Sequence, residues 1–202
     1  VYLKNDSADE SNFIELAKRS LTAGAFLILN SSKTDSLRKT LTALELKQKN
    51  VILAGADKSN CQEFLKLSRE FSNLPIAIAS STLDEAVELT NELSKNNFKD
   101  VIIELKSESI LKTLDNLTQI RRLALKKNIR AIGYPVLVTT LSDDIFGEAA
   151  EASQYIEKYA GIVIVRNSEP ALHLALVSLR QNVYTDPQKP VTVEPKIYKF
   201  GN

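Results

Sequence analysis

The chain has 202 residues, of which 44% are hydrophobic and 25% charged, and its formal net charge is +1. This apolar share supports a globular core, and the near-neutral charge argues against a dedicated nucleic-acid binder. There is one Cys, one His and no Met. A single Cys excludes an intrachain disulfide and predicts a reducing, cytoplasmic location. No apolar run approaches the roughly 18–20 residues of a membrane span, so we expect no membrane association.

Short apolar runs, many rich in β-branched residues, alternate with amphipathic stretches along the chain. Most of these runs are continuously apolar, which is typical of strands buried on both faces in a parallel sheet covered by helices. The predicted strands, in chain order, are residues 1–3, 25–29, 51–54, 75–79, 101–103, 131–134, 161–165 and 182–184.

Helical patterns separate the strands, and several of them begin with a clear start signal. Ser7 opens a capping box ahead of the first helix and Thr82 ahead of the fourth, while Asp144 precedes the sixth and Pro170 lies in the first turn of the seventh. The βα unit occurs seven times and is followed by a last strand. This order predicts an α/β fold, a (β/α)8 TIM barrel. An open doubly wound sheet is the alternative, but its glycine-rich turn after the first strand is missing.

The end of the chain has a different character. Pro187 and Pro190 interrupt regular structure after the last predicted strand. Residues 191–198 are compatible with an extended chain. We therefore expect a barrel domain over residues 1–186 and a proline-containing connector over 187–202, as in a domain of a larger protein.

Polar residues follow several predicted strands, where barrel proteins carry their functional groups. They form no recognisable catalytic dyad or metal-ligand spacing, and no two of the six glycines lie close enough for a phosphate loop. We therefore expect no catalytic residue and no metal site, and turn or capping roles are the simpler interpretation. The binding candidates at the carboxyl ends of strands are Asn5, Asp6, Asp57, Glu104, Asn167 and Asp186.

The single Cys and the single His have structural interpretations. Cys61 lies in the first turn of a predicted helix, where the helix dipole favours a thiolate. It also belongs to the apolar stripe of that helix, which predicts an inert buried thiol. His173 lies inside the seventh helix, away from the carboxyl ends of the strands, so we expect a packed or solvent-facing side chain.

Three stretches in the last part of the chain carry a family resemblance. They are residues 117–124 with the following Gly133-Tyr134-Pro135, residues 159–162, and residues 179–190 running on to Tyr198. Together they resemble the large (gamma) subunit of the corrinoid iron–sulfur protein of the acetyl-CoA decarbonylase/synthase system. The resemblance is clear from Leu117 to Asn202 and general before that.

The resemblance implies a place in a larger protein. The chain would be the central TIM barrel, between a domain that holds a 4Fe-4S cluster through cysteines and a domain that binds a cobalt-containing corrinoid. The family protein carries a methyl group from a methyltetrahydrofolate or methyltetrahydropterin methyltransferase to acetyl-CoA synthase. The implied partners are these two enzymes and the small (delta) subunit, and the barrel is implied to be a scaffold without a cofactor of its own. The single Cys agrees with a cluster domain outside this chain.

The chain departs from the family pattern after its fifth predicted strand, and two enzyme classes with a barrel fold are alternatives to the scaffold role. Family members usually carry an aspartate–proline–glycine turn where this chain has residues 104–107, Glu-Leu-Lys-Ser. The alternative function is a pterin-binding, methyltransferase-like barrel enzyme that uses Asp and Asn at strand ends. An aldolase-type barrel would require a lysine at a strand end, and the predicted strands offer only Lys4 and Lys106.

Overall fold

The computed structural model describes residues 1–5, 10–45 and 50–184. Within these ranges, parallel strands alternate with helices along the chain. The strands are β1 (Tyr2–Lys4), β2 (Leu27–Asn30), β3 (Val51–Ala56), β4 (Ile76–Ser80), β5 (Val101–Leu105), β6 (Val136–Thr139) and β7 (Ile162–Ile164). The helices are α1 (Glu10–Thr22), α2 (Thr34–Leu44), α3 (Cys61–Glu70), α4 (Leu83–Lys95), α5 (Ile110–Lys126), α6 (Ile145–Glu157) and α7 (Pro170–Tyr184), and Arg130–Ile132 forms a 3-10 turn.

Each strand pairs in parallel with the next strand of the chain, so the sheet order is β1 to β7 without a crossover. The sheet curves until its two ends approach each other, because Tyr2 of β1 and Ile162 of β7 pack against the same interior cluster. The result is a nearly closed α/β barrel, which confirms the predicted TIM-barrel class.

Both faces of β2 to β6 are largely buried, whereas β1 and β7 are only partly buried. One face forms the barrel interior, and the other packs against the helices in the main core, where Phe64, Leu67 and Tyr155 are fully covered. This double burial explains the continuous apolar runs in the sequence. The interior cluster consists of Ile28, Ile52, Ala54, Ala77, Ile102 and Leu137, with Tyr2, Ile162 and Ile164 packed against it.

The buried faces and the caps of several helices lie where the sequence pattern predicts them. On α2, Leu37, Leu41 and Leu44 are buried at positions four and three residues apart, as one face of a helix requires. At the start of α4, the hydroxyl of Thr82 accepts a hydrogen bond from the Glu85 amide at 3.2 Å, which confirms the predicted cap. At the start of α6, the Asp144 carboxylate accepts from two backbone amides in the same way.

The prediction of a sixth strand at residues 131–134 is wrong, because β6 begins at Val136. Residues 131–134 do not form a strand, because Arg130–Ile132 is a 3-10 turn closed by a hydrogen bond from the Gly133 amide to the Arg130 carbonyl. The apolar Ile132 is buried under this turn instead of in the sheet. The sheet resumes at Pro135, whose carbonyl accepts from the Ile103 amide at 2.8 Å, and β6 follows directly.

The eighth predicted strand is wrong as well, since residues 182–184 are the last turn of α7. Leu172 and Leu176 lie one turn apart on α7 and are buried against α6. No glycine or proline interrupts this helix between Pro170 and Pro187, so the helical period continues through the short apolar run. The described residues therefore form seven strands.

Some sequence predictions concern residues outside the described ranges. These include the capping box that begins at Ser7, the site candidates Asp6 and Asp186, and the connector over residues 187–202. In the part of the chain that is described, no helix is long and apolar enough to cross a membrane.

The close approach of Gly55 to the backbone of Ser31 can be tested by substitution. Its φ is +102°, and a Cβ there would lie 2.8 Å from the backbone oxygen of Ser31, at a register shift between β3 and β4. We expect Gly55→Ala to lower the free energy of unfolding by about 2–5 kcal/mol, since backbone strain and overpacking add. Gly24→Ala is the control, because φ there is +77° but no atom lies within 4 Å. It should cost about 1–2 kcal/mol from strain alone. Equal losses in urea denaturation would contradict the close contact.

Candidate functional site at the barrel mouth

Among the four candidates that lie in the described ranges, Glu104 is the one whose side chain enters the barrel interior. It lies in β5, two residues after the interior-facing Ile102, and only 1% of it is exposed. Its Oε1 accepts from the Tyr2 hydroxyl at 3.4 Å and from Lys106 Nζ at 2.5 Å. Its Oε2 has no hydrogen-bond partner among the described residues. One oxygen of a buried carboxylate therefore remains available as an acceptor.

The residues that flank Glu104 in the sheet are apolar. Its neighbours in register are Ala79 on β4 and Leu137 on β6, which are both apolar, and Ala79 is small. Lys106 balances the carboxylate charge from a half-exposed position. The arrangement suits a hydrogen-bond donor or a water held against Oε2, and the contacts offer neither a nucleophile nor a proton relay.

Asn5 follows β1 and connects that strand to α2. Its Nδ2 donates to Ser36 Oγ at 2.7 Å, and its backbone amide donates to the Asn30 carbonyl at 2.9 Å. Its Oδ1 is buried and has no partner within the described ranges. Asn5 therefore belongs to the contact between the barrel and its helical layer, not to the group around Glu104.

Asp57 forms the turn that leads into α3. Its Oδ1 accepts from the Ser59 amide at 2.7 Å, the Ser59 hydroxyl at 2.6 Å and the Asn60 amide at 3.3 Å. Asn60 returns the contact, since its Oδ1 accepts from the Asp57 amide at 2.7 Å. These bonds describe an Asx-type turn, which is the structural role expected of Asp after a strand.

Asn167 follows β7 and binds a buried carboxylate of α6. Its amide and its Nδ2 both donate to Glu148 Oε2, at 3.0 and 2.8 Å. The other oxygen of Glu148 accepts from the Thr140 hydroxyl and the Arg166 amide, each at 2.6 Å. Glu148 therefore holds the loops after β6 and β7 together from a fully buried position.

These hydrogen bonds set the ionisation of Glu148. Burial raises the pKa of a carboxyl group, but the bonds from Thr140, Arg166 and Asn167 favour the charged form more strongly and lower the pKa of Glu148 to about 2. Glu148 is therefore a charged structural ligand of two loops at neutral pH, and its proton is unavailable for acid–base chemistry.

Glu151, one turn further along α6, binds the loop after β6 in the same manner. It accepts from the Leu141 and Ser142 amides at 2.9 Å, from the Ser142 hydroxyl at 2.8 Å and from the Tyr155 hydroxyl at 2.6 Å. Burial raises the pKa of Glu151, but the hydrogen bonds together lower it by more, so the net shift of the pKa is downward. Burial, followed by the bond to Glu151, raises the pKa of Tyr155.

The sequence interpretation did not single out Glu148 and Glu151. A glutamate on a helix is normally solvent-exposed, so neither residue is conspicuous by type. The available signal is their position, because Glu148, Glu151 and Tyr155 lie three and four residues apart, on the same face as the buried Ala152. A carboxylate on the apolar face of a helix indicates a buried hydrogen-bonding role.

The structure therefore separates the candidates. Glu104 meets Tyr2 and Lys106 in the interior, while Asn5, Asp57 and Asn167 each serve a different neighbouring element. The described residues contain no group of three or more His, Cys, Asp or Glu side chains that could hold a metal ion. Burial, with smaller contributions from Glu92 and Asp57, raises the pKa of the Cys61 thiol to about 11, as expected for an inert thiol.

A family model and several individual proteins match the chain over most or all of its length. A family model described as CO dehydrogenase/acetyl-CoA synthase delta subunit matches residues 1–202. The corrinoid/iron-sulfur protein large subunit of Moorella thermoacetica is 30% identical over 203 residues, which cover 100% of this chain and 45% of that protein. The acetyl-CoA decarbonylase/synthase complex subunit gamma of Archaeoglobus fulgidus is 28% identical over 202 residues, covering 94% of this chain and 42% of the relative. The chain thus spans less than half the length of these relatives.

The pKa of Glu148 leads to a test of the loop contacts. Its folded value of about 2 lies below the ordinary 4.5, so its contribution is complete above about pH 4.5 and is lost as the pH falls toward 2. The shift corresponds to about 3 kcal/mol, and we expect Glu148→Gln to lower the free energy of unfolding by about 2–4 kcal/mol at pH 7. The free energy of unfolding of this variant should also fall less steeply than that of the wild type as the pH drops from about 4.5 toward 2.

Glu157→Gln is the matched control, because Glu157 is the exposed last residue of the same helix. Thermal and urea unfolding of both variants between pH 7 and pH 3 would measure the difference. If Glu148→Gln unfolded like Glu157→Gln at every pH, Glu148 would not hold the two loops.

Proposed function

We propose, since the chain belongs to the CO dehydrogenase/acetyl-CoA synthase delta subunit family, that it is the barrel part of a methyl-carrying corrinoid iron–sulfur protein. The relatives that bear the names large subunit and gamma subunit are matched over most or all of this chain, so we place it within a large subunit. In this proposal the corrinoid and the 4Fe-4S cluster are bound by other parts of the longer protein. The barrel is a scaffold and a docking surface.

The observation that carries the scaffold role is how the fold uses its own buried polar groups. The carboxylates of Glu148 and Glu151 are saturated by loop donors, and Cys61 is held as a buried thiol. The interior-facing side chains of the strands are mostly aliphatic. A catalytic barrel normally presents several reactive groups at the carboxyl ends of its strands, whereas the buried side-chain atoms without a partner among the described residues are Asn5 Oδ1, Ser80 Oγ and Glu104 Oε2, of which Glu104 alone carries a titratable group.

Exposed apolar side chains at the mouth support a docking role. Phe146, in the first turn of α6, is 84% exposed, and Leu111, in the first turn of α5, is 78% exposed. Both helices begin after neighbouring strands, β5 and β6, so both side chains lie at the same end of the barrel. We propose that the small (delta) subunit contacts this rim. The methyltransferase and acetyl-CoA synthase are proposed partners of the assembled carrier.

A pterin-binding barrel enzyme is the second candidate, and one observation favours it. The unpaired Oε2 of Glu104 faces the barrel interior and could accept from the ring N–H groups of a pterin. The other strand-end residues give less support, because Asp57 and Asn167 are already used in structural bonds.

The docking proposal is tested by association with the small subunit. The chain should be retained by an immobilised small subunit under reducing conditions, and Phe146→Ser should weaken retention at least tenfold, because a desolvated aromatic anchor contributes about 2 kcal/mol or more. Leu174→Ser is the control, since Leu174 is 70% exposed but lies on the outer face of α7. Retention that is absent, or equally weakened by both variants, would contradict docking at the mouth.

Calorimetry separates the scaffold from the pterin-binding alternative. Titration of the chain with methyltetrahydrofolate should give no heat beyond dilution if the barrel is a scaffold. A binding heat that is lost in Glu104→Gln but kept in Glu108→Gln would support the alternative, since Glu108 is exposed in the loop before α5. The second variant controls for the change in net charge.

A further inference from the structure

One stretch of the chain concentrates basic residues at the end of the barrel opposite its mouth. Residues 116–142 contain five basic residues and no Asp or Glu, although the net charge of the whole chain is only +1. They lie in the second half of α5 and in the turn after it, near the amino ends of the strands, because each helix begins at the mouth and runs back. The five residues, all exposed, are Arg121, Arg122, Lys126, Lys127 and Arg130.

The end of α6 brings an aromatic side chain to this stretch. The Arg121 guanidinium lies over the Tyr159 ring, with its Cζ 3.3 Å from the ring centroid. Tyr159 is 42% exposed and follows α6 directly after Lys158. Its amide donates to the Ile156 carbonyl at 2.9 Å, and its φ is +67°. Glycine is the usual residue in this left-handed conformation after a helix, so the fold keeps an aromatic ring at a strained position.

Stacking on Tyr159 holds the Arg121 guanidinium in one orientation. The ion pairs found among the described residues include neither Arg121 nor any other of the five basic residues. A planar guanidinium presents its N–H donors as a fixed fork that matches the two oxygens of a carboxylate. Because the fork is already oriented, less side-chain entropy is lost when a carboxylate binds to it.

We propose that Arg121, Arg122, Leu125, Lys126 and Tyr159 form a docking surface for a protein partner that presents aspartate or glutamate side chains. We call this surface the basic patch. Its charge requires an acidic partner, and the fork of Arg121 favours a carboxylate. The proposal does not rest on the function proposed above, because it uses neither the family nor the mouth of the barrel.

The apolar part of the basic patch favours a protein over other anionic partners. Leu125 lies one turn after Arg121 on α5 and is 64% exposed. An apolar side chain beside an arginine and a tyrosine is typical of the centre of a protein interface. Nucleic acid is a poorer fit, since the guanidinium covers a ring face on which a base would stack. A membrane is a poorer fit, since Leu117 and Ile120 on the apolar face of α5 are buried.

The helix dipole does not account for the whole basic patch. The carbonyl groups at the end of α5 stabilise a cation in its last turn, which explains Lys126. This effect falls off within one turn, and Arg121 and Arg122 lie before the last turn. The complement of these two charges therefore lies outside the described residues.

Binding of acidic and neutral peptides to the 202-residue chain tests the proposal. The probes are fluorescein-labelled octaglutamate and octaglutamine, followed by fluorescence anisotropy at low ionic strength. We expect octaglutamate to bind and octaglutamine not to bind. Arg121→Ala should weaken octaglutamate binding at least tenfold, as expected for a central arginine of an interface. Arg19→Ala is the control, because Arg19 carries the same charge but lies on α1, where it pairs with Glu15.

Two substitutions of Tyr159 separate stacking from charge. Tyr159→Phe keeps the ring under Arg121 and should bind octaglutamate like the wild type. Tyr159→Leu removes the ring but keeps every positive charge, and should weaken binding about threefold. If Tyr159→Leu lowered the melting temperature without changing the affinity for octaglutamate, Tyr159 would serve stability alone and the proposal would be overturned.

Other outcomes of the titration would also overturn the proposal. One is no binding of octaglutamate, and another is equal weakening by Arg121→Ala and Arg19→Ala. Tighter binding of a thymidine octanucleotide than of octaglutamate would assign the basic patch to nucleic acid. Binding to phosphatidylserine vesicles that is lost in Arg121→Ala, without octaglutamate binding, would assign it to a membrane. Phe146→Ser should leave octaglutamate binding unchanged, so this test can fail separately from docking at the mouth.

Discussion

The burial of both faces of a parallel sheet is the constraint on which the rest of this molecule depends. A strand that faces the barrel interior on one side and the helices on the other must be apolar throughout, as in the fully buried Leu53 and Ile76 and their interior-facing neighbours. Polar groups are then confined to the ends of the strands. There the chain must either saturate them with hydrogen bonds or leave them for a ligand.

The chain mostly saturates them. Glu148 and Glu151, both on α6, bind the backbone of the loops after β6 and β7, so two buried charges stabilise the mouth instead of performing chemistry. The exceptions among the described residues are Asn5 Oδ1, Ser80 Oγ and Glu104 Oε2, which are buried without a partner, while the other oxygen of Glu104 is balanced by Lys106. Carboxylates that are saturated by loop donors are what we expect of a barrel with the scaffold role that we propose.

The sequence predicted those parts of the structure that depend on periodicity. The run at 51–54 and the helix with Leu37 and Leu41 lie where the pattern placed them, because burial on two faces or on one face leaves different spacings. The failures were at 131–134 and 182–184, where a short apolar run fits a turn or a helix as well as a strand. The carboxylate contacts of Glu148 could not be predicted, since they depend on which loops the fold brings to α6.

In the scaffold role that we propose, this barrel binds neither the corrinoid nor the iron–sulfur cluster that the name of its relative implies. The most direct measurement is the iron and cobalt content of the 202-residue chain, purified without oxygen under reducing conditions and analysed by inductively coupled plasma mass spectrometry. The scaffold proposal predicts far less than one atom of either metal per chain, both before and after incubation with a corrinoid and with iron and sulfide. Stoichiometric cobalt or iron that remains after gel filtration would contradict it.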